Sequence, residues 1–449
     1  MQLAAWIAFC AVAAVLTRNH PRLYLSAVVV AWFAIPAVGS SLVTGEADGP
    51  LSFHPATWLV AAIAGVQLLH TPRALAAALA RQVHVFLGLA LVAGAAVITT
   101  VAGGGSSVAL IDQLLAPVMF FLLILAAGLA DRGLLTVLKN LLLTLAAAVS
   151  IVALAQTLTG QVIFYESGFL TQYWFDPEDN RWMGTLDQPL ALSLALCMIA
   201  PLAAGVRRPA LQLVLLVLLG AGVLVSQSRL GIVTYALVAA FAVLRSRIPW
   251  QGKLSLAGLL ATAAWFAAGS TVSAGVAQRF ADDTGSAAAR ADAWGFFLTR
   301  WQDYLVAGEG ISASYRVSEA GGLITSLESS VLMYAVDIGV VFALVYFGVM
   351  AGLIARNWRQ QACPGLALGS VLGLLIVQTY SALATRSVAG ILIWTMLALL
   401  VLAGRQSRTP EEPRTPEEGA AGTSSGADGP RLRPIEAQLA AAMRAAAAR

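Results

Sequence analysis

At 449 residues the chain is long enough for two or three soluble domains, but 59% apolar and only 11% charged residues exclude that reading. A soluble globular protein holds about 25% charged side chains. The formal charge of +4, from 27 basic and 23 acidic residues, is too small an excess to point to nucleic acid, so the composition predicts an integral membrane protein.

The first apolar run, residues 2 to 17, reads QLAAWIAFCAVAAVLT. No basic residue precedes it, and no small-residue cleavage site with a polar sequence follows, so it reads as a span and not as a cleaved signal. Further apolar runs occupy about 22 to 40, 57 to 70, 84 to 102, 112 to 130, 140 to 160, 186 to 205, 210 to 226, 230 to 244, 254 to 274, 330 to 355, 366 to 384 and 388 to 404. Crossing the hydrocarbon takes about 20 helical residues, so 57 to 70 and 230 to 244 must tilt or borrow flanking residues. The expectation is an all-α polytopic membrane protein of 12 or 13 transmembrane helices. Alternating ten-residue segments, the mark of a β-barrel, are not the pattern.

Basic residues set the sidedness. Arg18 and Arg22, Arg73 and Arg81, Arg132 and Lys139, Arg207 and Arg208, Arg245 to Lys253, Arg356 and Arg359, and the tail from Arg405 fall in every second connection, as cytoplasmic ones should. The others are then extracytoplasmic: 45 to 55, Gly103 to Gly105, 161 to 185, Ser226 to Arg229, 275 to 328 and the turn carrying Arg386. Residues 405 to 449 repeat RTPEE and continue in Gly, Ser and Ala, a composition that predicts a disordered cytoplasmic tail. Of the three cysteines, Cys10 and Cys197 lie in apolar runs and no CxxC pair occurs, so neither disulfides nor redox chemistry is indicated.

Two outer loops stand out. Residues 161 to 184, QVIFYESGFLTQYWFDPEDNRWMG, mix aromatic and acidic residues as a re-entrant or interfacial element does, and Trp174 and Trp182 fit an interface or the face of a sugar. The larger loop carries Arg279, Arg290, Arg300 and Arg316 on the side that topology keeps poor in arginine. From Arg290 to about Val306 its apolar residues, Trp294 and Trp301 among them, recur at helical spacing and predict an amphipathic helix. Gly308 and Gly310 end that helix, and a flexible stretch leads to Glu328, the arrangement of a mobile lid over an outward cavity. Arg229 interrupts an apolar run within VLVSQSRLGIVTY, and an ionisable residue at a membrane boundary is a functional hypothesis by default. Together Arg229, Arg279, Arg290, Arg316 and Arg386 describe a site for phosphate or pyrophosphate, whose oxygens suit planar guanidinium forks.

In these elements the chain resembles the O-antigen ligase and O-antigen polymerase superfamily of polytopic bacterial envelope glycosyltransferases. SQSRLG at 226 to 231 is similar to the family's Ser-Arg-Gly-type element at the outer end of a span. RADAWGFFLTRWQDYLVAGEGISASY at 290 to 315 is similar to its arginine-led helix running into a Gly-x-Gly turn, and ESSVLMYAVDIGVVFALVYFG at 328 to 348 to the span that follows. The resemblance implies a GT-C-like transmembrane transferase domain over 1 to 404, with a smaller periplasmic loop at 161 to 185 and a lid at 275 to 328, in the bacterial inner membrane. Its donor would be an undecaprenyl-pyrophosphate-linked oligosaccharide, with a glycan acceptor, membrane lipids and envelope polysaccharide assembly proteins as partners. Arg229 and Arg290 would bind the pyrophosphate, aided by Arg279, Arg316 or Arg386.

Ligases of this group begin the following span with histidine and asparagine, whereas Glu328 and Ser329 stand here. A polymerase is therefore the better fit, with Glu328 accepting or orienting the proton of the acceptor hydroxyl, or serving only as a helix-start carboxylate. Trp174, Trp182, Trp294 and Trp301 would be the sugar-contacting residues. No cofactor is predicted, and no metal, because Asp282 and Asp283 lack further ligands. Transfer to lipid A core, a lipid-linked saccharide flippase and a non-catalytic scaffold are the alternatives.

Overall fold

The computed structural model describes residues 1–47, 49–172, 175–246, 248–268, 284–360 and 362–408. Among these no strand occurs, and the first 408 residues pack as one unit. The architecture is all-α. Five helices are long and apolar enough to cross a membrane, Val83–Gly103, Ser107–Ala130, Leu134–Thr159, Val340–Asn357 and Val388–Ser407, and up to seven are if two bent pairs each count as one. Gln2–Thr17, Pro209–Val225 and Leu366–Ile376 are among the shorter apolar helices.

Val388–Ser407 is the axis, with 94% of its apolar window buried. A helix apolar all round belongs in a core, and Trp394, Leu397 and Leu400 show why, since none exposes more than 1%. Val83–Gly103 is only 28% buried. Its outward Ile98 and Val101 are 69% and 80% exposed. Such a face would drive aggregation in water and is unremarkable against lipid. Long apolar helices with apolar outer faces are consistent with a polytopic membrane protein.

Three apolar runs that read as continuous are broken, each for a local reason. Pro21–Ala34 stops before Pro36 and turns by 93° into Ala37–Thr44, because a residue before proline is pushed out of the helical region. The run 366 to 384 is helical only to Ile376. The run 330 to 355 divides at Gly339, whose φ of +101° joins Ser330–Ile338 to Val340–Asn357; a Cβ there would meet the carbonyl of Val306 at 2.6 Å.

Side-chain bonds define the end that gathers basic connections. Arg22 reaches both carboxylate oxygens of Asp131 at 2.6 and 2.7 Å. Gln67 donates to the Arg18 carbonyl (2.9 Å), His70 bonds Asn19 (2.8 Å), and Gln406 donates to the Arg132 carbonyl (3.0 Å). An open groove of about 550 Å³ around Asn19, Arg22 and Asp131 lies at this end. At the opposite end of Ser107–Ala130 from Asp131 lies Asp112, the partner of Arg386.

Candidate functional site

Helices Pro209–Val225 and Arg229–Arg245 are separated by Ser226, Gln227 and Ser228, all buried. Gln227 has φ of +51°, a conformation that costs a side-chain-bearing residue roughly 1–3 kcal/mol and persists only where its surroundings enforce it. The smaller outer loop supplies that enforcement. Gln227 Nε2 donates to the carbonyls of Asp179 (3.4 Å) and Asn180 (3.1 Å), Arg181 Nε donates to the Ser226 carbonyl (3.3 Å), and the Trp182 amide donates to the Val225 carbonyl (3.2 Å). Residues 175 to 185 thus form a strap over the break. Ser228 caps the next helix by accepting from the Gly231 amide at 3.2 Å. Arg229 therefore enters on the first turn, half-buried beside the strap. Gly231 is required by packing, since a Cβ would overlap the Ser193 hydroxyl.

Trp182 is 1% exposed and packs with Val162, Phe169 and Met183. It is a core residue of the strap and presents no face to a sugar, which corrects the expectation of a surface platform; the indole has the area to hold a small loop that few other side chains could. Trp174 and Arg279 lie outside the described residues. Trp294 and Trp301 are 50% and 37% exposed.

The amphipathic helix of the large loop runs from Thr284 to Arg300 and ends in a tight turn, Trp301–Tyr304. The glycines beyond it do not leave a loose hinge. The break at Gly339 frees the carbonyls of Val336 and Asp337, which accept the amides of Glu309 (2.9 Å) and Gly310 (2.8 Å). The fully buried Asp337 carboxylate accepts the amides of Ser312 (3.0 Å) and Ser314 (2.7 Å), and Ile311 N–H donates to Thr100 Oγ1 (3.1 Å). Gly308 and Gly310 are glycines because backbone of Asp337 and of Thr99 to Gly105 passes at their Cα atoms. The helix Thr284–Arg300 is thus tethered, through the residues that follow it, to the break at Gly339. Arg316, exposed on Ala313–Ala320, donates to the Gly103 carbonyl at 3.2 Å.

Glu328 has φ of +50° and precedes Ser329, which caps Ser330–Ile338 by accepting from the Leu332 amide. Ser330 fixes this helix start to the connection after Leu366–Ile376: its amide donates to the Val377 carbonyl (3.0 Å), its hydroxyl to the Tyr380 carbonyl (3.1 Å), and it accepts from the Leu383 amide (3.0 Å). Burial raises the Glu328 pKa above the usual carboxylate range, opposed by the positive charge of Arg290 and a hydrogen bond with Thr325. Arg290 and Glu328 lie on separate elements, and no ion pair joins them among the described residues. Helix Pro189–Ile199 links this region to the Arg229 helix, because its Leu190 carbonyl accepts from Tyr380 Oη (3.2 Å) and Cys197 Sγ donates to the Gly231 carbonyl (3.4 Å).

Arg386 occupies a hub the sequence did not reveal. Its Nε bonds Asp112 Oδ2 at 2.7 Å and its Nη2 donates to the Ser52 carbonyl. The carboxylate of Asp112 is wholly buried and also accepts the amide of His54 at 2.9 Å. His54 stacks on Trp32 with ring centroids 3.7 Å apart, accepts the Ala56 amide on Nδ1 and bonds the Ile35 carbonyl through Nε2, a pattern that assigns the proton to Nε2. Burial pushes its pKa down to about 3, and burial raises that of neighbouring Asp187 to about 6 against the amides of Ala37 and Val388 that it accepts. A carboxylate amid ALIDQLLAPVMFF was the signal available for Asp112, since an ionisable group in an apolar segment needs a partner.

Among the described residues no three His, Cys, Asp or Glu side chains gather as metal ligands. The described residues here include the exposed Arg290 and Arg316, the partly buried Arg229 and Arg386, and the half-buried Glu328 carboxyl. No family model matches the sequence, and no curated protein does.

Proposed function

We propose that the protein is a multi-pass transferase of the bacterial inner membrane, with 12 or 13 spans in a GT-C-like arrangement, that polymerises undecaprenyl-pyrophosphate-linked oligosaccharides at the periplasmic face. What supports this reading is the hydrogen-bonded joining of the helix start beside Glu328 to the connection that carries Arg386 and, through Pro189–Ile199, to the helix that Arg229 opens. The acceptor hydroxyl oxygen attacks the anomeric carbon of the donor, and the carbon–oxygen bond to pyrophosphate breaks with its electron pair leaving on the lipid pyrophosphate. Arg229 and Arg290 stabilise that charge, with Arg316, Arg386 and Arg279 as further cationic contacts, and Glu328 takes the hydroxyl proton. A carboxylate whose pKa is raised toward the working pH is a better base than an exposed one.

The test is incubation of the purified protein in nanodiscs with synthetic undecaprenyl-pyrophosphate oligosaccharide, beside Arg229→Ala and Glu328→Gln. A ladder formed without lipid A core and lost in both variants supports the polymerase. A product that needs lipid A core replaces it with a ligase. Substrate crossing without covalent change replaces it with a flippase.

A further inference from the structure

We infer that Asp112 is a positioning residue for the proposed transferase, holding Arg386 so that one edge of its guanidinium is presented to a pyrophosphate oxygen. The inference rests on the function proposed above and deepens it at the same site.

The starting point is a defect in a helix. Pro117 has no amide hydrogen and cannot bond the carbonyl of Gln113, and the turn before it, Leu110–Leu115, widens into a π-helix within Ser107–Ala130. Such a bulge redirects side chains and recurs at functional positions. Here it turns Asp112 fully inward, to 0% side-chain exposure, against an arginine that keeps 26%. The acid is sealed and the base reaches the surface.

The guanidinium is held on two of its three nitrogens. Nε is fixed by Asp112, Nη2 by the Ser52 carbonyl, and the acid is itself fixed by the His54 amide. Nη1 makes no hydrogen bond among the described residues, and the Arg386 side chain keeps 26% of its surface exposed. An arginine locked on one edge loses little entropy when its free edge binds an anion, and the charge-assisted bond it forms is directional. The surroundings suit that use. Ala384, two residues before Arg386, accepts from Tyr315 Oη (3.4 Å), and Leu383 donates to Ser330, two residues past Glu328.

The charged and titratable groups facing the pair are His54 and Asp187, both coupled to Arg386. A pair serving only to tie helices together would leave the free edge without a ligand. Inorganic pyrophosphate, the polar part of the leaving group, is the probe that separates the two roles.

Wild-type protein in nanodiscs is treated with phenylglyoxal, with and without saturating pyrophosphate, and modification of Arg386 is followed by mass spectrometry. Protection of at least fivefold is expected; no protection at Arg386 while Arg229 or Arg290 is protected overturns the inference. Asp112→Asn, read at a temperature where it remains folded, is expected to raise the donor KM about tenfold and weaken inhibition by pyrophosphate about equally, with kcat within about twofold. In an Arg386→Gln background Asp112→Asn should then add nothing. Transfer with unchanged KM and inhibition in Asp112→Asn overturns the positioning role and leaves the transferase standing. Absence of any transfer by the wild type, with Asp112-dependent protection by pyrophosphate retained, removes the transferase and leaves the anion site.

Discussion

Two arginine–aspartate pairs, one at each end of the helix Ser107–Ala130, have nearly the same shortest distance and opposite surroundings. Arg22 and Asp131 meet at 2.6 Å with side chains 54% and 18% exposed; Arg386 and Asp112 meet at 2.7 Å with 26% and 0%. The exposed pair trades water for a partner in a medium that screens both, so it contributes little. The enclosed pair has lost its water, and each member depends on the other. Distance alone says nothing of importance here, because the surrounding medium decides it.

Removal of one partner of the enclosed pair should have the largest effect. Arg386→Ala leaves the Asp112 carboxylate buried and uncompensated, and should cost about 3–5 kcal/mol, read as a lower midpoint in a thermal unfolding series in detergent. A loss no larger than that of Arg22→Ala would show that water reaches Asp112.

The groups around the enclosed pair sharpen the contrast through pH. His54 is held neutral, its pKa lowered from 6.5 to about 3, so its contribution is present above 6.5 and is lost as pH falls below it. Between pH 7 and pH 5 the loss is about 2 kcal/mol. Asp187 has the opposite sign: a pKa raised to about 6 from 3.8 makes the fold gain stability as pH falls through 6, by about 1 kcal/mol over the same interval. Unfolding at pH 7 and pH 5 should therefore show His54→Gln less acid-sensitive than wild type and Asp187→Asn more so. Equal slopes in all three proteins would remove both assignments.

Glycines give the next contrast. At Gly308 a Cβ would drive into the backbone of Asp337, whereas at Gly295, on the exposed face of Thr284–Arg300, it meets nothing within 4 Å. Gly308→Ala should cost about 1–3 kcal/mol by overpacking, and Gly295→Ala should gain about 0.5–1 kcal/mol from helix propensity, both measured as shifts in the unfolding midpoint. The smallest effect belongs to the exposed pair, where Asp131→Asn should leave the midpoint unchanged in 0.5 M salt.

Much of the fold was legible because its signal is one-dimensional. An apolar run of helical length has few stable forms, and helices occupy the apolar runs read from the sequence. Ser228 and Ser329 cap the helices Arg229–Arg245 and Ser330–Ile338. The candidate site was legible only in part. Arg290 and Glu328 follow from their places in the chain, one on Thr284–Arg300 and the other at the start of Ser330–Ile338. Trp182 reads as an interfacial or sugar-facing aromatic, yet it is buried, because the loop folds back and packs it with Val162, Phe169 and Met183. Arg386 was named without Asp112, since 274 residues separate them.

Composition, apolar run length and the spacing of basic residues by themselves determined an all-α chain of long apolar helices, because burying backbone amides in an apolar medium leaves the helix as the local solution. Only the tertiary structure decided which charges are enclosed and which are screened. That outcome depends on close approaches between distant segments, on the break at Gly339, the π-turn before Pro117 and the strap over Gln227, where backbone groups left without local partners found them elsewhere in the chain.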